Sequence, residues 1–402
     1  MSDFLTQQEK NIQLLHRLYQ AIISKTNAAE IIKGHAQEIN LITPFDIMYF
    51  THELILSGDD METMKTGMNK LLNVTYKALA DFPYQAPDKD SYFGICIENN
   101  RQMIEKMEKI RPILIAFNKN LTDTSLRNEL LESWLAIRPF TDYYVIKENV
   151  IFPLVEKMTK PSKCVTMMWS FHDDIRRNLS EMIFLLEKDA PVDFQQMNKL
   201  AGALFFNIYA IKFREERILF PFIEAEVDRV EIENLRNESI DLGFPYYKPK
   251  KRTSMNDSAI DTKNMEDDLL DLHTGSLTLE QIILIFSHLP VDITYVDEHN
   301  KVRFFSNPPH RIFPRTIAVI GRDVNNCHPH ESVHVVEKIV ESFKNGSQHH
   351  ADFWINMRGK KILIQYFAVR DKKGLYRGVM EVSQEITEIQ SLEGERRILD
   401  WE

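Results

Sequence analysis

Long apolar runs are missing from this chain of 402 residues. No stretch approaches the roughly 20 consecutive apolar residues that a membrane-spanning helix needs. Cysteine is scarce: Cys96, Cys164 and Cys327 stand too far apart to suggest a disulfide framework or a Cys-based zinc site. Positive charge is not in excess, with 49 Lys and Arg against 59 Asp and Glu, a net charge of −10 and a pI near 5.8. That balance argues against a nucleic-acid or anionic-membrane binder driven by bulk charge. The start, Met-Ser-Asp-Phe-Leu-Thr-Gln-Gln-Glu-Lys, has neither the basic beginning nor the apolar run of a secretory signal, so a cytoplasmic location is expected. Glycine-rich phosphate loops, a nucleophile elbow and Ser/His/Asp arrangements are also absent, and no enzyme is expected.

Two scarcities divide the chain. Only five of the 13 glycines precede residue 240, which suits a helical region. Between Leu277 and Glu388 short β-rich runs separated by Asn, Gly and Asp read as α/β. Histidine is distributed the other way: nine of 13 lie at or beyond His273, and between Glu53 and Leu272 there is only His172. The stretch from about Arg236 to Asp271, with Pro-Tyr-Tyr-Lys-Pro-Lys-Lys-Arg-Thr-Ser, has few aliphatics and reads as a flexible linker.

Amphipathic helices are expected over Asn11–Ser24, Ala28–His35, Thr43–Leu56 and Met61–Ala80, with Thr43 as N-cap and Pro44 in the first turn. His52-Glu53 lacks the second histidine of a metalloprotease motif, so residues 1–85 read as a docking or dimerising helical module. The strongest internal signal is a repeat. Lys147-Glu148-Asn149-Val150-Ile151-Phe152-Pro153 recurs 68 residues later as Glu215-Glu216-Arg217-Ile218-Leu219-Phe220-Pro221. Each copy is expected to end a helix at Phe-Pro, and two helical hairpins make an up-and-down four-helix bundle. Drawn at 3.6 spacing, the stripes are Tyr144, Glu148, Ile151; Trp169, His172, Ile175; and Phe205, Tyr209, Lys212, Glu216. Glu148, His172 and Glu216 then stand where Leu would be expected, and each buried carboxylate needs a metal, a cation or a proton.

Residues 88–232 resemble the hemerythrin-like (HHE) cation-binding proteins, the resemblance resting on the paired Glu-x-x-x-Phe-Pro segments. It implies a bundle with a non-haem di-iron centre that handles oxygen, nitric oxide or iron. Carried over, the implied metal set is His172, Glu148, Glu216 and Tyr144. The chain departs from the family where histidines stand: Tyr144 precedes Glu148 by four, Lys212 precedes Glu216 by four, and Ser91-Tyr92-Phe93-Gly94-Ile95 carries none. A di-iron centre wants more donors than this, and a protonated Lys212 offers no lone pair. The same ammonium would neutralise Glu216 and Glu148 without metal. A metal-free ion-paired core, a mononuclear site and a di-iron centre stay open, and the charge argument favours the first.

From Leu277 the expected order is helix, strand (Asp292–Asp297), turn, strand (Lys301–Ser306), short helical turns, helix (Ser332–Lys344), then strands Gln348–Met357, Lys361–Arg370 and Tyr376–Ser383. This order and Val382-Ser383-Gln384-Glu385-Ile386-Thr387-Glu388 resemble a PAS domain over 275–395. Arg303-Phe304-Phe305-Ser306, Ile312-Phe313-Pro314-Arg315-Thr316 and Asn326-Cys327-His328-Pro329 resemble the PAS module of a three-part prokaryotic family with an uncharacterised N-terminal helical domain and a hemerythrin-like domain. The fold expected is therefore multidomain: an all-α region with an up-and-down bundle, a linker over 233–274, and an α/β PAS domain on a five-stranded antiparallel sheet.

The PAS resemblance implies a small-molecule ligand between sheet and helices, or dimerisation. His310, His334, Cys327 and Tyr366 are the pocket candidates. Haem is disfavoured, since His328 and His330 flank Pro329 in a loop and His334 lies beside the apolar stripe of its helix. The sequence around Cys327 does not match a flavin photoreceptor. No effector segment follows the last strand, so output is expected through a partner or a homodimer. The stripe Ile386, Ile389, Leu392 or Glu393, and Arg396 is too short to stand as an isolated helix.

Overall fold

The computed structural model describes residues 6–158, 160–188, 190–250, 269–328 and 330–394, the side chains of His330 and Glu331 excepted. The chain divides into two units, Met1–Arg252 and Thr253–Glu402.

The first unit is helical. It holds α1 (Gln7–Ser24), α2 (Ala28–Gly34), α3 (Ala36–Ile39), α4 (Pro44–Leu56), α5 (Met61–Asp81), α6 (Tyr92–Lys119), α7 (Thr124–Leu135), α8 (Arg138–Ile146), α9 (Phe152–Glu156), α10 (Cys164–Glu187), α11 (Phe194–Arg214), α12 (Phe220–Glu226) and α13 (Arg229–Leu242). Local chemistry sets the early boundaries. Thr6 and Glu9 form a capping box at α1, and Thr43 and Asp46 form one at α4 with Pro44 in its first turn. Asp46 Oδ2 also accepts from Asn11 Nδ2 at 2.8 Å, so the same carboxylate that caps α4 fixes it to α1. Gly67 lets α5 cross α1 closely, because a Cβ there would run into the Tyr19 ring.

Two expectations about this unit are corrected. Residues 1–85 are not a separate module: one continuous core runs from Leu14 to Phe244. Phe45 of α4 meets Phe222 of α12 at 5.6 Å between ring centres, and Lys163 N–H donates to His52 Nδ1 at 3.1 Å. The linker reading of 233–274 also fails over its first part. Residues 229–242 form α13, with Ile232, Leu235, Arg236 and Ser239 buried, and Phe244 beyond it is buried against Tyr143. Asn99 Oδ1 accepts the N–H groups of Tyr246 and Tyr247 at 3.1 and 3.0 Å. Few aliphatics suffice there because aromatics and backbone hydrogen bonds do the anchoring. Residues 251–268 lie outside the described residues.

The repeated Phe-Pro segments do not end their helices. A π-helical turn at Lys147–Ile151 joins α8 to α9, and another at Glu215–Leu219 joins α11 to α12. Proline lacks an N–H and its ring crowds the carbonyl four residues back. The wider turn immediately before Pro153 and Pro221 moves that carbonyl aside, and the helix continues.

The second unit holds a small hairpin, β1 (Leu270–Asp271) and β2 (Ser276–Leu277), then α14 (Leu279–His288), β3 (Asp292–Asp297), β4 (Val302–Phe305), α15 (His330–Asn345), β5 (His350–Met357), β6 (Lys360–Arg370) and β7 (Tyr376–Glu385). The hairpin begins inside the stretch read as linker, and α14 starts two residues later than expected because Thr278 caps it. The five-stranded sheet has the order β4-β3-β7-β6-β5, antiparallel throughout. Asp371 accepts from the backbone N–H of Lys373 and Leu375 at 2.9 and 3.0 Å, closing the β6–β7 turn. Gly378 is required in β7, since a Cβ would meet the Val296 carbonyl. Val336, Val340 and Phe343 of α15 pack on Val296 and Val379 of the sheet.

Candidate functional site

Four helical segments of the first unit bring polar and charged side chains into one buried centre: α6, the π turn after α8, α10 and the π turn after α11. Lys147 Nζ lies 2.5 Å from Glu215 Oε1, and the two side chains are 1% and 0% exposed. They occupy equivalent positions of the repeat, so opposite charges from the two copies meet. The Lys147 ammonium also faces the rings of Tyr143 at 4.2 Å and of Phe140 and Tyr144 at 5.0 Å. Asn100 Nδ2 of α6 donates to Glu215 at 2.9 Å and to Glu216 at 3.2 Å. Burial lowers the Lys147 pKa and raises that of Glu215, and the attraction between them opposes both shifts.

His172 of α10 stands beside this pair. Its Nδ1–H donates to Glu148 Oε1 at 2.9 Å, and Nε2, without a hydrogen-bond partner among the described residues, lies 4.0 Å from Glu215 Oε1. Tyr144 stacks on the imidazole at 4.0 Å between ring centres. Burial pushes the His172 pKa down to about 4, so the ring is neutral near pH 7. Burial would raise Glu148, but Arg176, at 2.8 Å from its Oε2, and His172 hold it below the ordinary carboxylate value. Arg176 also reaches Asp173 at 3.1 Å.

Glu148, His172 and Tyr144 thus come together at the centre, and Glu216 and Lys212 stand at its edge. Lys212 Nζ lies 2.6 Å from Glu216 Oε2, with the two side chains 34% and 14% exposed, and its partner is Glu216 rather than Glu148. The fully buried cation is Lys147 and the fully buried carboxylate of the second copy is Glu215. Neither is on the stripes drawn from the sequence. The inward stripe of α11 runs Leu204, Ile208, Ile211 and on to Glu215, one residue away from the stripe drawn through Phe205, Tyr209 and Lys212. Opposite charges at matching repeat positions, Lys147 and Glu215, were the signal that could have found the pair.

A metal fits these donors badly. Glu148, Glu215 and Glu216 each accept from a protein cation, and an ammonium 2.5 Å from Glu215 repels a divalent ion. Among the described residues no group of three or more His, Cys, Asp and Glu is arranged to hold a metal.

The four pocket candidates of the second unit do not form one site. Tyr366 lines a small cavity between the sheet and α15, of about 20 Å3, together with His328, Glu381, Val336, Val340 and Val379. Burial raises the Tyr366 pKa and lowers that of His328. His310 lines a separate groove of about 590 Å3 with Asp292, Arg311 and Met357. Cys327 packs against the core of the unit with Sγ 3.7 Å from the Asp323 carbonyl oxygen. His334 is exposed on α15, beside the Val336–Val340–Phe343 stripe. His328 and Glu381 were not expected as pocket residues, because alternation along β7 does not reveal that a charged residue faces the helix.

The second unit also has relatives among known proteins. The family model described as PAS domain matches residues 282–387. The crystal structure of a C-terminal domain from Streptococcus mutans is 32% identical over 31% of this chain and 97% of its own, with a TM-score of 0.30. No curated protein matches. The second unit contains a PAS domain, which suggests a sensory or signalling role.

Proposed function

We propose, from the PAS domain at 282–387, that the chain is a non-catalytic sensor in which this domain reads a small molecule between its sheet and α15. The observation that carries the reading is the cavity lined by Tyr366, His328 and Glu381 among valines. A Tyr hydroxyl, an imidazole and a carboxylate facing an apolar wall supply the few polar contacts that orient a ligand. At about 20 Å3 the cavity has room for about one water. A larger ligand enters as α15 moves off the sheet, which gives the domain two states from which a signal can be taken. Native mass spectrometry of the full chain tests this. An adduct lost in Val340→Phe, which fills the cavity, is the expected result. An adduct that survives the substitution, or none in the parent, counts against it.

The first unit is read as a hemerythrin-like bundle that serves as a structural or regulatory module, its core charge carried by Lys147 and Arg176 in place of metal. The paired π turns and the carboxylates meeting between four helices support the likeness, and the cation on every carboxylate supports the loss of metal. The competing reading is a di-iron protein handling oxygen, nitric oxide or iron. Metal analysis of chain purified anaerobically separates them: sub-stoichiometric iron is expected, and stoichiometric iron would overturn the metal-free reading.

Output through a homodimer is the third part of the reading. No residue of α14 is buried, Ile283 being 54% exposed, and Leu392 beyond β7 is 77% exposed. The edge strand β5 adds Trp354, 66% exposed, and unpaired backbone groups. Arg396, the last member of the tail stripe, lies outside the described residues. β7 runs to Glu385, so a truncation after Glu388 removes the exposed segment around Leu392 and leaves the sheet whole. Light scattering at tens of micromolar is expected to show a dimer for the full chain and a monomer for the truncated one. A monomeric full chain would remove this part of the reading.

A further inference from the structure

Arg214, the last residue of α11, is a buried cation without a counterion among the described residues. It is 5% exposed; its Nη2 donates to Asn69 Oδ1, its guanidinium lies 4.3 Å from the centre of the Phe171 ring, and Nη1 has no hydrogen-bond partner among the described residues. Among the described residues no carboxylate forms an ion pair with it. Burial alone lowers its pKa to about 9. Lys65 and Lys147, buried in the same unit, each face a carboxylate. An uncompensated guanidinium in a protein interior is costly, and a ring face and one amide offset only part of that cost.

The same arginine lines a surface groove of about 380 Å3 in the first unit. Asn69, Leu72, Asn73 and Tyr76 fall on one face of α5 and form one wall. Phe205, Phe206, Tyr209 and Phe213 of α11 form the other, with Arg111 of α6 at the edge. Tyr76, 56% exposed, stacks on Phe213 at 4.8 Å between ring centres, and Phe206 is 48% exposed. The lining holds two arginines and two asparagines; Glu108, just outside it, pairs with Arg111 and accepts from Tyr209, and no such carboxylate meets Arg214 among the described residues. A second, smaller cavity of about 30 Å3 on the inner side of Arg214 has room for a water or two, which would satisfy an N–H but not the charge.

We propose that this groove is a binding site for a small organic carboxylate with an aromatic or otherwise apolar body. The carboxylate pairs with Arg214 and the asparagine amides, and the body lies on the Tyr76–Phe213 wall. The planar guanidinium fork suits a carboxylate, and the groove volume lies within the range of small-molecule sites. This site is in the helical unit and does not depend on the PAS reading.

The test uses the full chain and 4-phenylbutyrate as the probe, with 4-phenylbutan-1-ol and inorganic phosphate as controls, read by calorimetric titration and melting temperature. The acid is expected to bind roughly ten- to hundredfold more tightly than the alcohol, and phosphate alone is expected to give no saturation. Arg214→Met is expected to lose that preference while melting no lower than the parent, because it removes an unpaired charge. Tyr76→Ala, at the exposed rim, is expected to weaken the acid several-fold with the fold intact, which keeps the test open should Arg214→Met fail to fold. Equal binding of acid and alcohol, phosphate binding as well as the acid, or undiminished binding in Tyr76→Ala would each overturn the proposal. So would the absence of any binding at millimolar probe.

Discussion

Replacing Lys147 with Met is expected to lower the stability of the chain by about 3–5 kcal/mol, because it leaves Glu215 charged, buried and without its cation. Glu215 keeps one amide donor, Asn100 Nδ2, in that variant, and an amide dipole does not neutralise a carboxylate. Changing Glu215 to Met alone should cost a similar amount by stranding Lys147 among its three rings. The double variant Lys147→Met, Glu215→Met should cost much less than the sum, since an apolar pair can fill the space of a buried ion pair. Lys212→Met is the contrasting case. Its pair with Glu216 is partly exposed, 34% and 14%, and the expected loss is about 1 kcal/mol or less. Urea melts of the parent and the four variants decide the matter. A Lys147→Met chain as stable as the parent, or a larger loss in Lys212→Met, would show that charge in this core is held otherwise.

Acid should destabilise the fold well before ordinary carboxylates titrate. His172 has a folded-state pKa of about 4 against an ordinary 6.5. The unfolded chain therefore takes up a proton first as pH falls, and stability declines from pH 6.5 towards pH 4. The shift corresponds to about 3 kcal/mol at the low end of that window. Glu148, whose pKa lies below 4.5, continues the decline in the same direction below that value. His52 is also buried with a lowered pKa and adds to the slope, so the informative quantity is the difference between the parent and His172→Phe. That difference should change steadily between pH 6.5 and 4 and be constant above pH 7. Parallel profiles for the two proteins would remove His172 as the source.

The centre was half legible from the residues. Glu148 and His172 show as polar positions on stripes that otherwise carry large apolar side chains, and both are buried in the fold. Glu215 and Glu216 are adjacent, and helical spacing admits either one to the core. The π turn inserts one residue into the helix and so rotates its face, a change invisible to a fixed period of 3.6. Arg176 and Asn100 were missed for a different reason. Each becomes part of the site through a neighbour distant in sequence, Glu148 for one and Glu215 for the other. In the second unit, His310 and Tyr366 carry equal promise as pocket residues, yet they line different cavities.

What the sequence determined by itself is whatever depends on neighbours a few residues away. The helical and β-rich halves, the cap at Thr43, the repeat at Lys147 and Glu215, and the succession of helices and strands along the PAS unit all rest on local period, turn chemistry and self-similarity. Tertiary structure alone decided that residues 1–85 share a core with the helices after them, and that 233–250 are anchored on Asn99 and Tyr143. It alone chose the partners of each buried charge and left Arg214 without a carboxylate among the described residues. Desolvation and Coulomb energies depend on distance in space, and only the folded chain sets those distances.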